Sequence, residues 1–159
     1  MAEPTDVIEL LVQDHRALDS LLDRFDQETG PAERRQLYRA VVAAIAGHES
    51  AEETVVIPAV LGAVPASALP EEDILGQHDE INELLAEMGQ LDPAGPGFEK
   101  RAAALVLDLR RHFLAEEEGL FPLVRAHFTA AQLEVMGEQV LAAKASAPPF
   151  PVTERQKTN

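Results

Sequence analysis

Residues 48–60, HESAEETVVIPAV, lie over residues 112–124, HFLAEEEGLFPLV, without a gap, and His, Ala, Glu, Glu, Pro and Val coincide at six of thirteen positions. The chain upstream of each segment repeats as well, with His15 over His78, Leu18 over Ile81, Leu22 over Leu85 and Phe25 over Met88. The separations between the first and second histidine of each half, 33 and 34 residues, differ by one. A chain built this way folds as two equivalent halves. What repeats most faithfully is polar: His15, His48 and Glu52 in the first half, and His78, His112 and Glu116 in the second.

The apolar positions around these residues recur at steps of three and four, and no segment alternates with period two, so the fold class is all-α. The stripe through Ile8, Leu11, His15, Leu18, Leu22 and Phe25 predicts a helix over about 5–28, with Thr5 or Asp6 as its cap and Gly30-Pro31 as its stop. A second helix follows Leu37, Val41, Ile45, His48, Glu52 and Val55 over about 31–61. A third, opened by Pro70 and Glu71-Glu72-Asp73, runs over about 69–89, and a fourth over about 97–127. Thr129 with Gln132 forms a capping box for a short last helix ending near residue 145. Short connections make each of the first four helices an antiparallel neighbour of the one before. The expected architecture is an up-down-up-down four-helix bundle with a short C-terminal helix over residues 1–146, followed by a flexible tail over 147–159.

His48 with Glu52, and His112 with Glu116, are HxxxE pairs, and residues i and i+4 stand one above the other on a helix face about 6 Å apart. All six polar residues lie on apolar stripes, where an unpaired imidazole or carboxylate costs several kcal/mol in desolvation. Any single histidine in such a place is satisfied by a backbone carbonyl, but six donors repeated at matching spacing call for a common partner. The chain has no cysteine, so thiolate sites, disulfides and cysteine nucleophiles are excluded, and a metal here is held by imidazole and carboxylate alone. Four imidazoles and two carboxylates exceed the needs of one tetrahedral zinc and suit two iron or manganese ions bridged by Glu52 and Glu116.

The order H, HxxxE, H, HxxxE, with a proline six residues after each glutamate, resembles the hemerythrin-like (HHE cation-binding) family from the first helix through the fourth. The resemblance implies two iron ions in a non-haem di-iron centre with a bridging oxo, hydroxo or water. His15 and His48 would bind one ion, His78 and His112 the other, and Glu52 and Glu116 both. It also implies a small-molecule oxidant, hydrogen peroxide, dioxygen or nitric oxide, as the reacting partner. The oxygen carriers of the family have a further histidine four residues before the third-helix ligand, where this chain has Ile74. Without it both ions keep exchangeable positions, which favours catalase- or peroxidase-type redox activity over carriage. The alternative is an oxygen, nitric oxide or iron sensing or storage module without turnover.

Several neighbours of the six are weaker candidates. Asp19, Asn82 and Asp108 each stand four residues from one of the histidines and either orient a ring or lie on a solvated face. Glu49, Glu53, Glu117 and Glu118 read as a solvated, charge-rich face, with Glu49 a possible extra ligand. Tyr38 reads as bundle-end packing and His127 as remote. Pro58 and Pro122 predict that the second and fourth helices kink or end just beyond the two glutamates. A formal net charge of -15 argues against nucleic acid and anionic membrane surfaces as partners. No apolar run approaches the roughly 20 residues of a membrane span, and the N-terminus lacks a basic leader, so the expected location is cytoplasmic. No feature identifies an electron donor.

Overall fold

The structure is a computed structural model and describes residues 6–148. Helix α1 spans Val7–Gln27, α2 residues 31–63, α3 Ile74–Gly89, α4 residues 96–127 and α5 Ala130–Ala145. The described residues contain no β-strand, and none of their helices is long and apolar enough to cross a membrane. Helices α1 to α4 form the up-down-up-down bundle, and α5 packs against α1 and α2 at one end. Of the tail expected over 147–159, residues 149–159 lie outside the described residues.

The helix ends follow from side chains that take up orphan backbone donors. Asp6 caps α1 by accepting from the amides of Ile8 and Glu9, and Thr129 and Gln132 exchange both bonds of a capping box on α5. Pro31 and Pro96 open α2 and α4, where a missing N–H costs nothing. Helix α3 begins five residues later than the expected start at 69. Asp73 accepts from the Gly76 amide and so fixes the first turn, while a short 3₁₀ turn, Ala66–Ala68, occupies the loop before it.

Neither Pro58 nor Pro122 ends its helix. Each follows a π-helical turn that starts at a glutamate of the repeat, Glu52–Val56 in α2 and Glu116–Leu120 in α4. There the Ile57 amide bonds to the Glu52 carbonyl and the Phe121 amide to the Glu116 carbonyl, five residues back instead of four. The shifted register lets an α-helix resume with proline in its first turn, where no N–H is needed.

Two apolar clusters fill the bundle, one on either side of the histidines. The first gathers Leu18, Leu22, Phe25, Tyr38, Ile45, Met88, Phe98 and Leu109 towards the α1–α2 turn. The second gathers Val7, Leu11, Val56, Val60, Leu120, Phe121 and Val124 with Leu133, Met136 and Val140 of α5. Tyr38 belongs to the first cluster as expected, its hydroxyl donating to the Leu85 carbonyl and its ring edge-on to Phe98. Phe98 is fully buried at the end of that cluster, against Phe25 and Tyr38 at 5.9 Å each. Phe98→Ala should therefore cost about 3–5 kcal/mol in urea unfolding of the metal-free protein. Metal content after refolding should match that of the unsubstituted protein, because the cavity opens far from the histidine layer.

Candidate metal centre

Between the two clusters His15, His48, Glu52, His78, His112 and Glu116 meet in one layer, each no more than 2 % exposed. Each bundle helix delivers its share: His15 from α1, His48 and Glu52 from α2, His78 from α3, His112 and Glu116 from α4. His48 Nε2 lies 3.1 Å from Glu52 Oε1, and His15 Nε2 lies 2.9 Å from Glu116 Oε2. On the other side His78 Nε2 lies 3.2 Å from Glu52 Oε2, and His112 Nε2 lies 2.9 Å from Glu116 Oε1. The donors thus divide into two groups, His15, His48, Glu52 and Glu116, and Glu52, His78, His112 and Glu116, each within 4.8 Å. Each carboxylate gives one oxygen to each group.

The far nitrogen of every ring meets an oxygen. Glu117 Oε1 lies 2.8 Å from His15 Nδ1, and Asp14 Oδ2 3.2 Å from His48 Nδ1. Glu53 Oε1 lies 3.0 Å from His78 Nδ1, and Gln77 Oε1 2.7 Å from His112 Nδ1. An acceptor at Nδ1 holds the ring proton there and turns the Nε2 lone pair inward. Four Nε2 atoms and four carboxylate oxygens then face one another with few protons among them. Glu52 Oε1 and Oε2, Glu116 Oε1 and the Nε2 atoms of His78 and His112 are buried without a hydrogen-bond partner. Native interiors rarely leave such atoms unmatched, and a cation is what accepts lone pairs from all of them. The residues present fit a pair of metal ions.

The electrostatics show the same demand for positive charge. Burial opposes a charged His48 ring, but the charge of Glu52, the bond to Asp14 and the nearby Glu116 carboxylate outweigh it and hold its pKa well above 6.5. His78 rises for the same reason, with burial overcome by the nearby carboxylates of Glu116, Glu52 and Glu53. Burial pushes Glu116 up, yet His112 beside it, with His15 and His48 close by, keeps the carboxyl well below 4.5.

The outer acceptors differ from the sequence expectation. Glu53 and Glu117, expected on a solvated face, hold His78 and His15. Asp19 instead accepts from Arg110 at 2.7 Å, and Asp108 pairs weakly with Arg111 at 3.9 Å. Glu49, also expected at the surface, is 5 % exposed, because the 100° that separates it from His48 carries it into the α2–α3 interface. There Asn82, which bonds no ring, donates to Glu49 Oε2 at 2.8 Å, and burial pushes the Glu49 carboxyl up to about 7. His127 is exposed, its Nδ1 3.0 Å from the Leu123 carbonyl of its own helix. Phe113 of the first cluster and Phe121 of the second both stack on the His15 ring, at 4.3 and 5.4 Å.

Among known proteins, the model of the hemerythrin HHE cation binding domain matches residues 6–137. The chain belongs to the hemerythrin HHE cation-binding family. A solved HHE domain-containing protein from Mycobacterium kansasii, an Rv2633c homologue, aligns with a TM-score of 0.74 over 91% of this chain and 86% of that one. Sequence identity to it is 21%, so the likeness speaks to fold. A DNA nickase of Nostoc sp. (strain PCC 7120) is 24% identical over 136 residues, 86% of this chain and 38% of that protein. This HHE chain therefore spans about two fifths of that relative's length. As an HHE domain it is a cation-binding protein, and its His/Glu layer is the cluster able to hold metal.

The charge balance of the layer sets a pH dependence for the metal-free protein. His48 and His78, raised above 6.5, contribute stability that is complete below 6.5 and lost as pH rises through their folded values. Glu49, raised from 4.5 to about 7, acts in the same direction, since its ionisation costs more in the fold than in the unfolded chain. Glu116 acts oppositely, contributing stability above 4.5 that disappears as pH falls through its folded value. Thermal unfolding of the metal-free protein should therefore move to lower temperature as pH is raised from 6.5 into the alkaline range. With metal bound the trend should reverse, because protons compete with the cation for the imidazoles.

Proposed function

We propose that the layer holds two iron ions and that the loaded protein consumes small oxidants, hydrogen peroxide foremost, with dioxygen and nitric oxide as further reactants. The activity is of catalase or peroxidase type. One observation carries this reading: the division of eight donor atoms into two groups of two imidazoles and two carboxylate oxygens, with Glu52 and Glu116 shared. His15 and His48 would hold one ion, His78 and His112 the other. Bound there, an iron pair supplies redox equivalents and coordination positions open to a small oxidant.

The chain's own residues supply orientation and shielding. Glu52 and Glu116, fixed at the start of the two π-turns, straddle both positions. Glu117, Asp14 and Glu53 keep the ring protons of His15, His48 and His78 on the outer nitrogens, and Gln77 stands against the outer nitrogen of His112. Phe113 and Phe121, stacked on the fully buried His15 ring, keep water from it. Ile74, buried at the first residue of α3, brings no donor to the position that a fifth histidine serves in the oxygen carriers. Donor counts are equal on the two sides, and reversible carriage needs them unequal.

Two measurements test the reading. Glu52→Ala and Glu116→Ala should each lose most of both irons by metal analysis, whereas His127→Ala should lose none. A full complement of iron in Glu116→Ala would remove α4 from the centre. Reconstituted with iron, the oxidised protein should consume hydrogen peroxide over many turnovers, and Ile74→His should slow it. A stable, reversibly formed oxygen adduct, with peroxide loss no faster than free iron gives, would leave the sensing or storage module in place of the enzyme.

A further inference from the structure

We propose that Gln77 makes the His78/His112 position the weaker of the two cation positions, so that cations load first between His15 and His48 and leave last from there. The inference rests on the two-cation reading above and adds an order to it.

The observation is a single break in the pseudo-symmetry of the outer acceptors. In the repeat Glu117 corresponds to Glu53, and Asp14 to Gln77. Three of the four rings therefore meet a carboxylate, and His112 alone meets an amide, at 2.7 Å. The difference matters because a carboxylate only accepts, whereas an amide presents an oxygen or an NH₂ according to a rotation about its last bond. Opposite Glu117, Asp14 or Glu53 a bare Nδ1 faces lone pairs, so the proton stays on Nδ1 and Nε2 stays turned to the centre. Opposite Gln77 the amide can turn and donate to Nδ1. The ring proton then moves to Nε2, where Glu116 Oε1 stands 2.9 Å away to receive a hydrogen bond. In that tautomer His112 turns no lone pair toward the centre.

Basicity runs the same way, since a carboxylate at the outer nitrogen strengthens the ring as a ligand more than a neutral amide does. The acceptors of the first position are also pinned from outside. Arg16 donates to Glu117 Oε2 at 2.9 Å, and Lys144 of α5 bonds to Asp14. Glu49 adds a carboxyl beside His78, but its bond comes from Asn82 and leaves the His112 tautomer free. The first position thus has two locked imidazoles and the second has one.

The test has two readouts. The protein is loaded anaerobically with ferrous ion and mixed with an excess of a chromogenic ferrous chelator. Release should come in two phases of one ion each. Gln77→Glu should slow the fast phase about tenfold and leave the slow one, and Asp14→Asn should speed the slow phase about tenfold. No change in either phase with Gln77→Glu, or an effect of that variant on the slow phase, would overturn the proposal. Independently, long-range proton–nitrogen NMR of the metal-free protein at mildly alkaline pH should show the His112 ring protonated at Nε2, and at Nδ1 in Gln77→Glu. A wild-type His112 already locked with its proton on Nδ1 would overturn it as well. One ion per chain would defeat the two-cation reading, and the tautomer measurement, made without metal, would still decide the role of Gln77.

Discussion

Two carboxylates buried at the middle of a helical bundle are the constraint from which the rest of the molecule follows. An uncompensated carboxylate in such a place is among the most costly groups a fold can contain, and Glu52 and Glu116 are both fully buried. Four imidazoles surround them, and four further side chains hold those imidazoles by their outer nitrogens. The apolar clusters above and below bring four helices close enough for all ten groups to meet. Because those clusters do not depend on the polar layer, the bundle can form without metal and present the donors in place. Helix α5 closes the second cluster and reaches the layer through Lys144 and Asp14, so α5 supports the His48 imidazole contributed by α2.

Much of this was legible in the sequence because it rests on α-helical periodicity. The six inward donors stand on apolar stripes, and the duplication shows which of them correspond. The caps at Asp6, Thr129 and Gln132 were legible for the same reason, since their chemistry is local. What escaped is what departs from an ideal α-helix. A proline read against that register predicts a break, and the structure absorbs Pro58 and Pro122 by widening the turn before each. The same turns let the acids after Glu52 and Glu116 reach inward, so Glu53 and Glu117 hold rings although α-helical spacing places them on a solvated face. Asp14 and Gln77 were overlooked because each precedes its own helix's histidine and serves that of the next helix, a pairing visible only once α1 lies beside α2 and α3 beside α4. Asp19 and Asn82, chosen by i+4 spacing, found Arg110 and Glu49 instead.

The duplication also explains why the two halves need not be alike. Phe113 stacks on His15, and the residue that corresponds to it in the other half is Glu49, buried near His78. One half therefore covers its histidine with an aromatic ring, and the other places a carboxyl of unusually high pKa beside it. With Gln77 in place of a carboxylate, two departures from symmetry fall on the His78/His112 side. A donor layer built from repeated halves gains inequivalent sides by changing single side chains around six repeated donors. The Mycobacterium kansasii protein shares the fold, and chemistry specific to this chain is set by its own side chains within that fold.

The central claim is spatial: two cations lie between Glu52 and Glu116, each facing two imidazoles. Anomalous diffraction at the iron edge from crystals of the iron-loaded protein tests it most directly. The account predicts two peaks per chain, one beside His15 and His48 and one beside His78 and His112, with a carboxylate oxygen of each glutamate facing each peak. A single peak, or iron located away from these six side chains, would contradict it.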